Sequence, residues 1–222
     1  MIDPKVESAI EAALTAFSEY SSFNAEPFAE VIAGVFDSEE DFMSKVDMMD
    51  EVFDDYPQLE VLREVFFDLL LVNFFSADVK KLEEDYLDSP EWEAIEEETL
   101  DRGTELLNLL LYLNECEDEE IEPGLEDYLK EFLLVDEDEF QDEYRIYEPV
   151  ISNQALMESS VSEIAKVAKQ LPEDSELKEL FYPVMAFFHD TDPSDAETAA
   201  IAANAIDKEF DMAVFEILVS FK

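Results

Sequence analysis

The sequence predicts an all-α fold: about ten to eleven helices packed as a multi-helix bundle or as stacked helical pairs. Three observations carry this. Apolar residues recur at the three- and four-residue spacing of a helix face almost throughout. No run alternates polar and apolar residues for long, as a half-buried strand would. Only 3 glycines occur in 222 residues, none of them in a Gly-Gly or Asn-Gly hairpin signal. Connections are short, which suits a bundle or a helical stack.

The first helix is expected to start at Asp3-Pro4, a cap followed by proline at the first helical position. Its apolar face is Val6, Ala9, Ile10, Ala13, Leu14 and Phe17. A second helix spans Asn24 to Phe36. Ser38 to Asp41 reads as the cap of a third, with Phe42, Val46, Met49 and Phe53 inward. Tyr56-Pro57 restarts the chain for a helix to Phe75 that is apolar on most sides, with Glu60, Glu64 and Asp68 as a narrow wet stripe. Such a helix belongs at the centre of the core. A short helix follows from Val79 to Leu87. Ser89-Pro90 then opens the longest one, to about Glu115, with Gly103 inside it as a close-approach point or a kink.

Glu115 to Pro123 forms an acidic connector ending at Pro123-Gly124. Residues 1–222 read as one domain, with a possible subdomain boundary near 115–124 that separates 1–116 from 123–222. Beyond it come a helix with Leu125, Tyr128, Leu129 and Phe132, and another with Phe140, Tyr144 and Tyr147. Ser160 to Glu163 has the spacing of a capping box, although that helix can also begin near Asn153. Leu177 to Phe188 follows, kinked by Pro183. Ser194 to Glu197 is a second capping box, opening a last helix to Phe221 through Ile206. Its Ala199, Ala200, Ala202 and Ala203 favour close helix packing. One short similarity, Leu82 to Leu87 against Leu125 to Leu129, has a separation that suits a helical repeat but uses common residues.

Charge is the dominant compositional feature. Sixty Asp and Glu stand against 13 Lys and Arg, a formal net charge of −47. Disorder is the usual partner of such charge, but 18 Phe, 8 Tyr and 48% hydrophobic residues supply a core. A globule of this length has a radius of gyration of roughly 17 Å. Duplex DNA with the same charge is roughly 80 Å long, so the charge is compressed. Self-repulsion should lower stability at low salt, and like-charge crowding should raise some carboxyl pKa values.

Chemistry-bearing motifs are sparse. Asp190, Asp192 and Ser194 begin like a calcium loop, but Asp195 replaces the glycine and Ile201 the glutamate. A di-iron site needs Glu-x-x-His pairs. The one histidine, His189, follows Ala186 at that spacing and sits near a helix end, where its cation suits the dipole. Cys116, the only cysteine, lies among Glu115, Glu117 and Asp118, which should blunt its nucleophilicity. There is no Gly-x-Ser-x-Gly, no phosphate loop and no cysteine pair for zinc. No catalytic residue, cofactor or dedicated metal site is therefore expected, although loose binding of divalent cations fits such a surface.

One cysteine excludes an intrachain disulfide and fits a reducing compartment. The N-terminus shows no signal-peptide pattern. The greasiest stretch, Val65 to Phe75, is shorter than the ~20 residues of a membrane span. A cytoplasmic protein is expected.

Three functional readings remain open. The first is a non-enzymatic, monomeric interaction protein whose carboxylates bind a basic protein: a nucleic-acid-binding protein, which makes it a DNA mimic or inhibitor, or a basic toxin or effector, which makes it an immunity protein or chaperone. It would touch neither nucleic acid nor membrane directly. Its contact residues are the densest runs: Glu96, Glu97 and Glu98; Glu117, Asp118, Glu119 and Glu120; Asp136, Glu137, Asp138 and Glu139. The second is salt or solubility adaptation of a helical scaffold. The third is a carboxylate- or metal-dependent enzyme.

Overall fold

Helix starts follow the local chemistry of the sequence. Asp3, ahead of Pro4, accepts the Lys5 and Val6 N–H groups and opens α1 (Pro4–Tyr20). Asp41 accepts Ser44 N–H at 2.9 Å and opens α3 (Phe42–Asp55), which packs against α2 (Glu26–Asp37). Ser89 accepts Trp92 N–H and opens α6 (Pro90–Glu98). The computed structural model describes residues 1–77, 84–132, 134–136, 139–140 and 146–222. Most of the expected short helix from Val79 lies outside the described residues, leaving α5 (Glu84–Leu87). The first arm of the proposed repeat lies partly outside them too.

The protein is all-α apart from a two-stranded antiparallel hairpin, β1 (Leu134–Asp136) with β2 (Glu139–Phe140). Phe140 is thus in a strand rather than a helix, beside a segment whose β-branched Val135 suits extended backbone. The expected helix with Leu125 forms as α8 (Leu125–Asp127), continued by a π-helical turn at Tyr128–Phe132. Tyr144 lies outside the described residues, and Tyr147 lies in a turn ahead of α9 (Glu148–Ile151).

α4 (Arg63–Ala77), entered through a 3-10 turn at Pro57–Leu62, is the central helix. Val65, Phe66, Leu69, Leu70 and Val72 are all buried, and the helix touches α1, α3 and α7. Phe28, Phe53 and Phe66 meet edge-to-face with centroids 5.0 to 5.7 Å apart, a favoured aromatic geometry. α1 pairs with α13 (Lys208–Phe221) along its length. Ala9, Ala13 and Ala213, all fully buried, let the two backbones approach closely. Of the alanines expected to do this elsewhere, Ala202 on α12 (Asp195–Asn204) is buried, whereas Ala199, Ala200 and Ala203 are exposed.

Two helices expected to be continuous are broken. The stretch from Pro90 divides into α6 and α7 (Leu106–Asp118), so α1 at 17 residues is the longest described helix. Asp68 is the cause. It belongs to no wet stripe; it is 1% exposed. Its carboxylate accepts Thr104 N–H at 3.0 Å and the Thr104 hydroxyl at 2.5 Å. Glu64, one turn earlier, accepts Gly103 N–H at 2.7 Å. These bonds replace the intrahelical ones the loop has given up. Gly103 adopts φ +82°, and a Cβ there would lie 2.6 Å from Asp68 Oδ1, so the close-approach reading of this glycine holds while its helical placement does not. The second break, at 205–207, separates α12 from α13. Asp211 holds it by accepting N–H groups of Ile206 at 2.6 Å and Asp207 at 3.2 Å.

Of the two expected capping boxes, one forms. Glu197 accepts Ser194 N–H at 2.8 Å at the start of α12. Ser160 opens α10 (Val161–Ala168) without a capping bond, and its hydroxyl lies 2.8 Å from Ser162 Oγ. A 3-10 turn at Gln154–Glu158 precedes it. Pro183 lies inside α11 (Lys178–His189) as expected. Replacing Gly103 with alanine should cost at least ~1–2 kcal/mol through left-handed backbone strain alone, with displacement of Asp68 adding to that. Urea unfolding of Gly103→Ala measures it.

Candidate functional site

Basic side chains are too few to neutralise the surface, and the fold ties most of the described ones down. Two of the three arginines brace the framework. Arg63 bridges Asp50 at 3.2 Å, and Asp54 and Glu60 at 2.7 Å, while resting on the Phe53 ring. Arg102 holds Asp50 at 2.9 Å and Glu64 at 3.1 Å, over the Phe67 ring. These planar forks fix α3, α4 and the α6–α7 break to one another. Carboxylates raise the Arg63 pKa further, so it stays charged. Lys5, Lys130, Lys166, Lys178 and Lys222 each pair with a glutamate.

The expected contact residues are therefore largely unopposed. Glu96, Glu97 and Glu98 are exposed on the last turn of α6 and make no ion pair among the described residues. Glu117 and Asp118 end α7, and Glu119 and Glu120 lead out of it, all four exposed; among the described residues only Glu117 is paired, with Lys5. Both runs occupy helix C-termini with no basic residue in the last turn, where negative charge opposes the macrodipole. Asp136 and Glu139 are paired across the hairpin, and Glu137 and Asp138 lie outside the described residues.

The first two runs border different depressions. Glu98 lines a groove of about 450 Å³ between α3, α4 and α6, floored by Phe42, Leu70 and Ile95, with Glu40 and Glu91 also on its rim. Glu117 and Glu120 line a smaller one beside Lys222. A third groove, about 630 Å³, lies on the side of α4 that carries Glu64 and reaches the α12–α13 break. Comparison of the chain with protein-family models, curated proteins and solved structures gives no match.

Other chemistry-bearing side chains are placed as follows. No group of three or more His, Cys, Asp or Glu suited to a metal occurs among the described residues. Asp190 and Asp192 form the α11–α12 turn, where Asp190 accepts Asp192 N–H. His189 ends α11 and its Nε2 lies 2.8 Å from the Ser159 carbonyl. Cys116 is buried on α7. Tyr112 closes the acidic connector: its hydroxyl accepts Gly124 N–H at 3.0 Å and donates to Gly124 C=O. Tyr147 donates to Glu105, which also accepts from Asn108 at 3.1 Å.

Carboxyl pKa values rise where the sequence did not point. Burial comes first as the cause at Asp68, held well above the usual carboxylate range, and at Glu216. Burial also pushes Asp211 up to about 7, against the lowering effect of the Ile206 and Asp207 N–H groups and with a smaller contribution from the Asp207 charge. Like-charge crowding is secondary in each case. Exposed acids that accept hydrogen bonds move the other way: Glu197 is lowered by Ser194, and Asp41 by Ser44.

A raised folded-state pKa means that folded Asp211 holds its proton where the unfolded chain has lost it. Its contribution to stability is therefore full at acid pH and declines as pH rises from about 4 to about 7. Asn at this position keeps an oxygen for the two N–H groups and removes the titration. Asp211→Asn should flatten that part of the stability–pH curve and stabilise the protein at pH 8, by up to about 4 kcal/mol. Denaturant melts of both proteins between pH 4 and 8 read the difference.

Proposed function

We propose that this chain is a non-enzymatic interaction protein whose carboxylate-rich surface binds a basic protein, either a nucleic-acid-binding protein or a basic toxin or effector. In the first case it acts as a DNA mimic or inhibitor, in the second as an immunity protein or chaperone. The single observation that carries the reading is the placement of the exposed runs Glu96–Glu98 and Glu117–Glu120 at helix C-termini. There they work against the helix dipole, and nearly all lack a cation among the described residues. Solubility alone is served as well by acid elsewhere on a helix, without that cost. An approaching basic surface supplies the missing cations. Long-range attraction accelerates encounter by about 10 to 10³ and fades with salt.

No described helix is long and apolar enough to cross a membrane. We assign the protein to a reducing, cytoplasmic setting on the strength of its one buried, unbridged thiol.

The test uses a lysine-rich linker histone as probe, with duplex DNA as competitor. Association in 50 mM NaCl should be rapid, sensitive to salt and reduced by DNA-like competition for the probe. The triple variant Glu96→Gln, Glu97→Gln, Glu98→Gln should slow it several-fold. Neutralising Glu7, Glu11 and Glu30, exposed acids on α1 and α2, should change it less. Equal effects from the two triples, or no association at low salt, would overturn the reading. Melting in 0.1 M and 3 M KCl separates it from salt adaptation, which requires unfolding at the lower concentration.

A further inference from the structure

The groove of about 630 Å³ combines an apolar floor with exposed aliphatic lips. Its floor is apolar, built from Val65 of α4, Leu180 of α11 and Phe210 of α13, each at most 6% exposed. Its lips are aliphatic and open to water: Val61 is 51% exposed and Ile206 45%. Ile206 is not at a frayed end. It sits in the α12–α13 break, where Asp211 accepts its N–H at 2.6 Å, so the backbone that carries this exposed side chain is fixed.

Carboxylates surround that apolar strip. Glu60 and Glu64 are held by Arg63 and Arg102, and Glu173 by Lys178. Glu176 and Glu179 also line the groove, are exposed, and make no ion pair among the described residues. Lys169 and Lys178 are the basic residues of the lining. A second copy of this chain would bring its own −47 charge, and nucleic acid or an anionic membrane would be repelled equally. The complement to an aliphatic strip between glutamates is an apolar anchor between cations.

We propose that this groove is the seat for a basic amphipathic segment of the partner protein, one bulky aliphatic or aromatic side chain lying between Val61 and Ile206, with lysines or arginines one helical turn to either side reaching Glu176 and Glu179. The proposal rests on the basic-partner reading above and adds the place and the sequence character of the contact. Attraction by the acid surface selects for charge; the anchor adds affinity and selects among basic proteins.

Two synthetic peptides of equal positive charge test it, one with a leucine anchor flanked by lysines and arginines, the other with serine in its place. Affinities come from fluorescence anisotropy in 50 mM NaCl. The anchored peptide should bind wild-type protein roughly tenfold to a hundredfold more tightly. In the double variant Val61→Ser, Ile206→Ser, which changes exposed side chains and is checked for folding by circular dichroism, that advantage should vanish while the serine peptide binds as before. Glu176→Gln with Glu179→Gln should weaken both peptides. Equal affinity of the two peptides for wild-type protein overturns the groove and leaves the acid-surface reading standing. So does an anchor advantage that survives in the double variant. Binding of neither peptide overturns both.

Discussion

Asp68 sits in the core with its carboxylate turned to the backbone of a segment 36 residues further on. Much of the architecture around α4 depends on that bond. A helix interior leaves no N–H groups to spare, so a buried carboxylate can take backbone donors only from a loop or from the first turn of a helix. Asp68 and Glu64 take those of Thr104 and Gly103, in the loop between α6 and α7. Farther along the same helix, Asn73 accepts Asp3 N–H at 2.8 Å and fixes the entry to α1. Asp211 repeats the device between α12 and α13. In each case burial alone would make the polar group expensive, and the backbone donors offset that cost.

This division of labour explains how so acidic a chain can fold. A small number of carboxylates are drawn inward and satisfied by backbone or by Arg63 and Arg102. The greater number stay in water, where repulsion is screened. The scarce cations are used mainly as internal braces, and the ends of α6 and α7 are left negative. The outer surface keeps a net attraction for anything positive, and apolar floors beneath acid rims offer places where that attraction can become a fitted contact.

Much of the fold is legible in the sequence because it is written in local chemistry. Asp3-Pro4, Asp41 and Ser89-Pro90 announce their helices, and Val6 to Phe17 form a buried face at the expected spacing. The breaks are not legible. Apolar periodicity runs on through Thr99 and Leu106, and again through Ala203 and Phe210, so only the tertiary position of Asp68 and Asp211 interrupts it. Gly103 was the one local hint, since only a residue without Cβ tolerates both its φ and the nearby carboxylate. The acid runs on α6 and α7 were likewise readable, because charge that dense has nowhere to go but outward. The grooves were not, since they depend on which helices become neighbours. Val61 and Ile206 read as ordinary core positions until the turn at Pro57 and the break at Ala205 swing them into water.

The pairing of α1 with α13 has a kinetic side. These helices stand nearly two hundred residues apart in the chain, yet each is the other's principal packing surface. During synthesis α1 emerges well before α13, and the face it turns to α13 is covered only after the residues between them have followed. Long-range closure of this kind slows folding. Over that interval the dense negative charge keeps nascent chains apart, so the same acidity that we propose for recognition can also guard the unfinished molecule against aggregation.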